Sequence, residues 1–130
     1  MKPKREAEVE YLTSEGMEGL PFSEAVRVGN VLYLSGQLGR DNSGKMVPGG
    51  IAAETRQTME NIKATLDRYG SSLDHVIKVT VMLTDMTEWE AMNNVYVTYF
   101  HKHLPARSAL GANGLALGAR VEIECIAVLK

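Results

Sequence analysis

The sequence is poor in the features that mark secreted and membrane proteins. Its single cysteine, Cys125, cannot form a disulfide within the chain, which fits a reducing compartment. No apolar run approaches the roughly 20 residues that a membrane-spanning helix needs. The charged start, from Met1 to Glu6, has no apolar segment behind it and matches no signal or transit peptide. We therefore expect a cytoplasmic protein without a membrane partner.

Motifs for metals and phosphates are also missing. His101 and His103 are two positions apart near a predicted helix end, so their side chains point in different directions. His75 has no cysteine or histidine partner nearby in the sequence. The glycine-rich stretch from Gly111 to Gly118 lacks the lysine and the following helix of a phosphate-binding loop. We expect no metal site and no organic cofactor.

Positive charge is scarce as well. The chain has 14 Lys and Arg against 16 Asp and Glu, a formal net charge of −2, and no basic block, which weighs against nucleic acid as its main partner. Its content of 45% hydrophobic and 23% charged residues is that of an ordinary globular protein. With 130 residues, the chain is predicted to be a single domain over 1–130, small enough that a partner subunit matters to its stability.

The first part of the chain predicts strands. A loosely ordered start over 1–20 leads to a short edge strand. The pair Gly29 and Asn30 then predicts a tight hairpin turn between strands at 25–28 and 31–38.

Helical spacing of apolar residues predicts two helices. The first covers 52–69 and ends at Gly70, which suits a left-handed C-cap. The second begins with a capping box of Thr87 and Glu90 and ends before Pro105. Its apolar stripe, expected in the core, consists of Trp89, Met92, Tyr96 and Tyr99 or Phe100.

Alternating residues predict three more strands. The strand at 76–83 is expected to place Ile77 on the same face as Val79, and the stretch from 105 to 129 contains two strands around a glycine-rich connection. The last strand carries apolar residues on both faces, which is typical of a strand buried on both sides. One face has Val121, Ile123, Cys125, Ala127 and Leu129, and the other has Glu122, Glu124, Ile126 and Val128.

These elements predict an α+β fold, with a mixed β-sheet and two helices packed on one face. Two helices cover only one face of such a sheet. Ile126, Val128 and Met82 make the second face apolar too, so we expect another subunit to bury it.

Arg107 and Glu122 are the strongest candidates for chemistry. The planar guanidinium of an arginine is suited to binding a small carboxylate through two hydrogen bonds, and a partly desolvated glutamate can accept a proton or orient water. The residues alone leave an alternative, in which Arg107 forms an ordinary ion pair with Glu122 or Glu124.

Several ordered motifs resemble the RidA/YjgF family of enamine/imine deaminases, and the similarity covers nearly the whole chain from about Pro21. The resemblance implies a chorismate-mutase-like fold and a homotrimer with clefts between subunits. The matching segments are Pro21-Phe22-Ser23-Glu24-Ala25-Val26, Leu34-Ser35-Gly36-Gln37, Pro105-Ala106-Arg107-Ser108 and Arg120-Val121-Glu122-Ile123-Glu124-Cys125-Ile126-Ala127.

The resemblance also implies a site. In the family, the residue at the position of Arg107 holds the substrate carboxylate, and the one at Glu122 positions or activates the attacking water. Two departures make the cleft less polar: Ala109 stands where many members have cysteine, and Phe22 where they have tyrosine. The substrate-binding residues implied are Arg107, Ala109, Phe22, Ser35, Gln37 and Asn93.

The function implied is hydrolysis of reactive 2-imino or 2-enamino acids to 2-keto acids and ammonia, with neither metal nor cofactor. One alternative is a trimeric module that binds small carboxylates such as 2-keto acids without turnover. Another is ribonuclease or translation-inhibitor activity, attributed to some relatives, against which the negative net charge weighs.

Overall fold

A computed structural model of the chain describes residues 8–130, which form a six-stranded mixed sheet and two α-helices. Short 3-10 turns lie at Leu73–His75, Met86–Glu88, Val97–Tyr99 and Ala116–Gly118. In chain order, the main elements are β1 (Val9–Leu12), β2 (Ala25–Val28), β3 (Val31–Gln37), α1 (Gly50–Arg68), β4 (Val76–Leu83), α2 (Trp89–Tyr96), β5 (Ala106–Gly111) and β6 (Val121–Val128).

The last strand lies in the middle of the sheet. The strand order is β1-β2-β3-β6-β4-β5, with β4 and β5 parallel and all other neighbours antiparallel. The parallel pair is joined by a crossover that contains α2, as a parallel connection requires. This arrangement confirms the predicted α+β fold with a mixed sheet.

Local signals in the first half of the chain were sufficient to predict its elements. Gly29 turns the β2–β3 hairpin with a φ of 58°, and Gly70 follows α1 with a φ of 86°. The predicted edge strand is β1. Of the loose start predicted over 1–20, the part before Glu8 lies outside the described residues.

Both helices pack on one face of the sheet, as predicted. Strand β6 shows why, because its residues alternate between buried positions facing the helices and positions on the opposite face. The core contains Leu32, Leu34, Met59, Ile62, Leu66, Val79, Val81, Leu83, Met92, Tyr96, Val121, Ile123 and Cys125.

The predicted placement of Ile77 beside Val79 is wrong. The pairing of β4 with β6 shifts register between Val76 and Lys78, where a bulge adds one residue to β4. Because an added residue reverses the alternation, Val76 is buried and Ile77 is 48% exposed.

The second helix begins differently from the prediction. Asp85, rather than Thr87, caps this segment, because its carboxylate accepts hydrogen bonds from the backbone N–H and hydroxyl of Thr87 at 2.9 and 2.7 Å. Met92 and Tyr96 are buried as expected, but Trp89 is 44% exposed. Among the described residues, neither helix combines the length and apolar character needed to cross a bilayer.

The sheet face opposite the helices is open and partly apolar. Tyr33 on β3 is 46% exposed and Leu110 on β5 is 45% exposed, and Ile77 on β4 is exposed to a similar extent. Ile126 and Val128 of β6 are half-buried on the same side. Single exposed apolar residues are ordinary, but a group spread over four neighbouring strands is typical of a binding surface.

Replacing Leu32 by alanine is expected to lower the free energy of unfolding by about 2–5 kcal/mol, because the side chain is fully buried in the core. Urea denaturation measures the change. The matched control is Leu104→Ala, since Leu104 is 65% exposed and its truncation leaves no core cavity. Equal losses in the two variants would contradict the core assignment.

Candidate active site

Glu122 projects from β6 on the open face of the sheet, where its side chain is half-buried. It lines a groove of about 740 Å³ between the β1–β2 connection, β3, α1 and the turn that precedes β6. No hydrogen bond or ion pair found among residues 8–130 involves its carboxylate. The carboxylate is therefore available to a small molecule or to water in the groove.

The electrostatic environment of Glu122 favours proton transfer. Burial raises the pKa of its carboxyl above the ordinary value, and the negative charge of Glu124, two positions along the same face of β6, raises the pKa further. A carboxyl whose pKa moves toward neutrality is a better general base in its ionised form.

Gly36 makes room for this carboxylate. A Cβ atom at Gly36 would overlap Oε2 of Glu122 and lie 2.8 Å from its Cδ. The β3–β6 pairing shifts register between Leu34 and Gln37, which brings the Gly36 backbone against the glutamate. Gly36 belongs to one of the matching segments, but its role could not be predicted from the sequence, since the close approach depends on the partner strand.

Three other predicted residues lie around the same groove. Phe22 is 51% exposed, and Ser35 and Gln37 both lie on the wall formed by β3. The hydroxyl of Ser35 donates a 2.6 Å hydrogen bond to the carbonyl of Ser23, which joins β3 to the segment that carries Phe22. The structure thus brings Phe22, Ser35 and Gln37 together with Glu122.

Arg107 lies in a separate cluster at the edge of the sheet. It pairs with the buried Val79 in register, so its side chain points toward the helices, as does that of Ala109 two residues on. Nη1 of Arg107 donates a 2.6 Å hydrogen bond to Oδ1 of Asn93 on α2. The structure brings Arg107, Asn93 and Ala109 to one place.

Two aromatic rings complete the Arg107 cluster. The guanidinium carbon lies 4.8 Å from the ring centre of Tyr96 and 5.8 Å from that of Trp89, within the range of cation–π attraction. The hydroxyl of Tyr96 is buried, with no hydrogen-bond partner within residues 8–130, and burial raises its pKa to about 12. Helical spacing predicted both rings in the core, and their contact with Arg107 could not be read from it because the contact joins two elements.

Arg107 and Glu122 are not neighbours within one chain. Glu122 lies on the open face of the sheet and Arg107 on the helix-covered face, two strands away in the order β6-β4-β5. The alternative of an ion pair between Arg107 and Glu122 or Glu124 is therefore wrong for the single chain. The polar partner of Arg107 is the amide oxygen of Asn93.

Cys125 and the histidines supply no reactive group to either cluster. Cys125 is 4% exposed, and burial raises the pKa of its thiol to about 12, which keeps it protonated and poorly nucleophilic. Nε2 of His103 lies 2.7 Å from the carbonyl oxygen of Asp74. Within the range 8–130, no three His, Cys, Asp or Glu side chains are grouped so as to hold a metal ion.

Comparison with known proteins places the chain among close relatives. Residues 17–129 match the family model described as Endoribonuclease L-PSP. A mouse protein named 2-iminobutanoate/2-iminopropanoate deaminase is 45% identical over 109 residues, which are 83% of this chain and 81% of the mouse protein.

Solved structures are similar over almost the full chain. The crystal structure of RidA from an Antarctic Psychrobacter bacterium has a TM-score of 0.82 at 35% identity, covering 97% of this chain and 100% of that one. Yeast Mmf1 has a TM-score of 0.88 at 35% identity, covering 95% and 100%.

Replacing Gly36 by alanine is expected to push the Glu122 carboxylate aside and to cost little stability, about 1 kcal/mol or less, because the atoms it meets are the end of a flexible side chain. Gly39→Ala is the contrasting variant, because its Cβ would lie 2.8 Å from the backbone carbonyl oxygen of Glu54, and it should cost about 1–3 kcal/mol. Thermal unfolding of the two variants measures the difference. Gly114→Ala is the control, because nothing lies within 4 Å of a Cβ there. Equal losses at Gly36 and Gly39 would contradict a contact with a movable carboxylate.

Proposed function

Because the chain belongs to the Endoribonuclease L-PSP family, which includes the RidA and YjgF proteins, we propose that it hydrolyses 2-imino acids, and their 2-enamino tautomers, to 2-keto acids and ammonia. One observation carries the proposal: the carboxylate of Glu122 faces a groove and has no partner in the described part of the chain, which is 45% identical to a deaminase named for such substrates.

The reaction needs one group that handles protons. Ionised Glu122 accepts a proton from water as the oxygen attacks the carbon of the C=N bond, and it passes that proton to the imine nitrogen to give a tetrahedral carbinolamine. Glu122 then takes the proton of the carbinolamine hydroxyl and delivers it to the amine, so that the C–N bond breaks and ammonia leaves as the C=O bond of the keto acid forms. Water supplies the oxygen atom, and no electrons are transferred to or from the substrate.

The substrate carboxylate needs a cation, and the Glu122 groove offers little free positive charge. Arg68 donates to the carboxylate of Glu24 at 2.6 Å, and Arg40 donates to the carbonyl of Gly44 at 3.0 Å. In the proposed site, Arg107 of a neighbouring subunit binds the carboxylate through its planar guanidinium. Asn93 holds the guanidinium in place, and the backbone at Ala109 lies beside it.

A homotrimer is the assembly proposed to bring these halves together. Two features support it: Arg107 and Glu122 lie on opposite faces of the sheet, and the open face carries apolar residues on four strands. In this arrangement each cleft combines Arg107 of one subunit with Glu122, Gly36, Phe22, Ser35 and Gln37 of the next. Phe22 gives the cleft an aromatic wall without a hydroxyl group.

The charges of the groove do not favour RNA as the substrate. Four carboxylates line it against two guanidinium groups, and both of the latter already have partners. A binding module for small carboxylates would use Arg107 in the same way, so turnover separates it from the enzyme.

Arg107→Lys and Glu122→Gln are each expected to lower kcat/KM for imine hydrolysis by roughly 2 kcal/mol or more, about thirtyfold. Lysine lacks the planar pair of donors, and glutamine lacks the base. The two variants are expected to recover activity when co-expressed, because a mixed trimer contains one cleft with both parental residues. Random mixing should return about a quarter of the parental activity. Keto-acid release, with imine generated in situ by an amino-acid oxidase, is the readout.

The control is the double variant Arg107→Lys/Glu122→Gln mixed with parental chains, which dilutes intact clefts without creating new ones. Light scattering on each protein checks that it is a trimer. Recovery confined to the mixed variants supports a shared cleft. The intersubunit site would be overturned if mixed trimers recovered no activity, or if the parental protein were a stable monomer at micromolar concentration. Keto-acid binding without turnover would favour the binding module.

Activity is expected to rise with pH through the raised pKa of Glu122, because only the ionised carboxylate acts as a base. Glu124→Gln removes a neighbouring negative charge, so the pKa of Glu122 should fall and the acidic limb of the kcat/KM profile should move to lower pH. Glu60→Gln, on the exposed side of α1, is the control and should leave the limb in place. The profile is measured after subtraction of spontaneous hydrolysis, and a limb unmoved by Glu124→Gln would exclude Glu122 as the titrating base.

A further inference from the structure

We propose that Leu117 is a specificity-determining residue of the Glu122 groove, selecting 2-imino acids with a bulky apolar side chain, such as those derived from leucine or methionine. This inference rests on the proposed function, since it names the substrate class of the same groove.

Leu117 has an unfavourable backbone conformation. Its φ of 59° and ψ of 23° lie in the left-handed region, and it is the only residue other than glycine with a positive φ in the described part of the chain. A leucine is disfavoured there because its Cβ crowds the backbone. Residues held in this region concentrate at ligand-binding and active sites.

Packing in the core does not offset the backbone strain at Leu117. Its side chain is 62% exposed and belongs to no part of the buried cluster. An apolar side chain that is both strained and exposed gains most when another molecule covers it. Leu117 lies on the wall of the groove that contains Glu122, where a bound substrate would cover its side chain.

The turn that carries Leu117 is firmly attached on its C-terminal side. Ala119 is 1% exposed, and its N–H donates to the carbonyl of Ala116 at 3.1 Å. The N–H of Arg120 donates at 2.8 Å to Oε1 of Glu54, a carboxylate that is buried under the turn. Leu117 is therefore held at the groove on a fixed support.

The other apolar side chains of the groove indicate what it accepts. Phe22 is 51% exposed and Leu20 is 45% exposed, and both line the groove with Leu117. Carboxylates outnumber guanidinium groups on its walls, so a substrate with an acidic side chain would be repelled. An apolar side chain gains about fourfold in affinity for each buried methylene.

The experiment compares kcat/KM for imines generated from alanine, leucine and glutamate, in the parental protein and in Leu117→Asn. Asparagine tolerates the left-handed region and has nearly the size of leucine, so the turn is kept while the apolar surface is lost. The parental protein should prefer the leucine imine over the alanine imine by about tenfold, since the side chain is only partly covered. Leu117→Asn should reduce that ratio about threefold, since Phe22 and Leu20 keep their share of the apolar surface, with alanine-imine turnover changed less than twofold.

Leu104→Asn is the matched control, because Leu104 is a 65% exposed leucine outside the groove, and its ratio should equal the parental one. Leu117→Gly, which also suits the left-handed region, replaces the asparagine variant if that protein does not fold. An unchanged leucine-to-alanine ratio in Leu117→Asn would overturn the proposal. An equal fall in turnover of every imine, together with loss of the trimer, would also overturn it, because Leu117 would then be a subunit contact.

If the proposed function is wrong, the parental protein will turn over none of the imines. The role of Leu117 is then tested by calorimetry, which compares the affinities for pyruvate and for the keto acid of leucine. Preferential binding of the larger keto acid that disappears in Leu117→Asn supports the role of Leu117. Equal affinities for the two keto acids would overturn it.

Discussion

The alternation of side chains along β6 is the constraint on which the rest of the structure depends. Because this strand lies between β3 and β4, its inward residues form the centre of the core under both helices, and its outward residues include Glu122 and Glu124. A shift of one residue in its pairing would exchange the two sets, burying carboxylates under α1 and exposing Val121, Ile123 and Cys125. The core therefore fixes the register, and the register fixes where the carboxylate of Glu122 points.

The same alternation separates the two halves of the proposed site. Residues that align with buried positions of β4, such as Arg107 and Ala109, face the helices, whereas Glu122 faces away. No side-chain rotation brings a guanidinium through the sheet, so the pair works together only if a second copy supplies one member. The open apolar face and the divided site thus lead to the same requirement, although they are independent observations.

The sequence was informative where structure follows from near neighbours in the chain. The β2–β3 hairpin, α1 and the alternation of β6 were predicted from turn glycines and apolar spacing, and Arg107 and Glu122 were singled out by their charge in apolar surroundings. It was uninformative where a contact or register joins distant strands. The bulge that exposes Ile77 and the room that Gly36 leaves for Glu122 depend on pairing with β6, and the contact of Trp89 with Arg107 depends on how α2 packs beside β5.

Three features that lower stability lie close to Arg107 or Glu122. Among the described residues, no partner is found for the partly buried carboxylate of Glu122 or for the buried hydroxyl of Tyr96 beside Arg107, and Leu117 holds a strained backbone at the edge of the groove. Each feature lowers the stability of a single chain, because a buried polar group without a hydrogen bond pays the cost of desolvation and a leucine in the left-handed region is strained. A core as regular as the one under β6 tolerates such costs, and their placement near Arg107 or Glu122 agrees with the proposed site, which a substrate and a second subunit would complete.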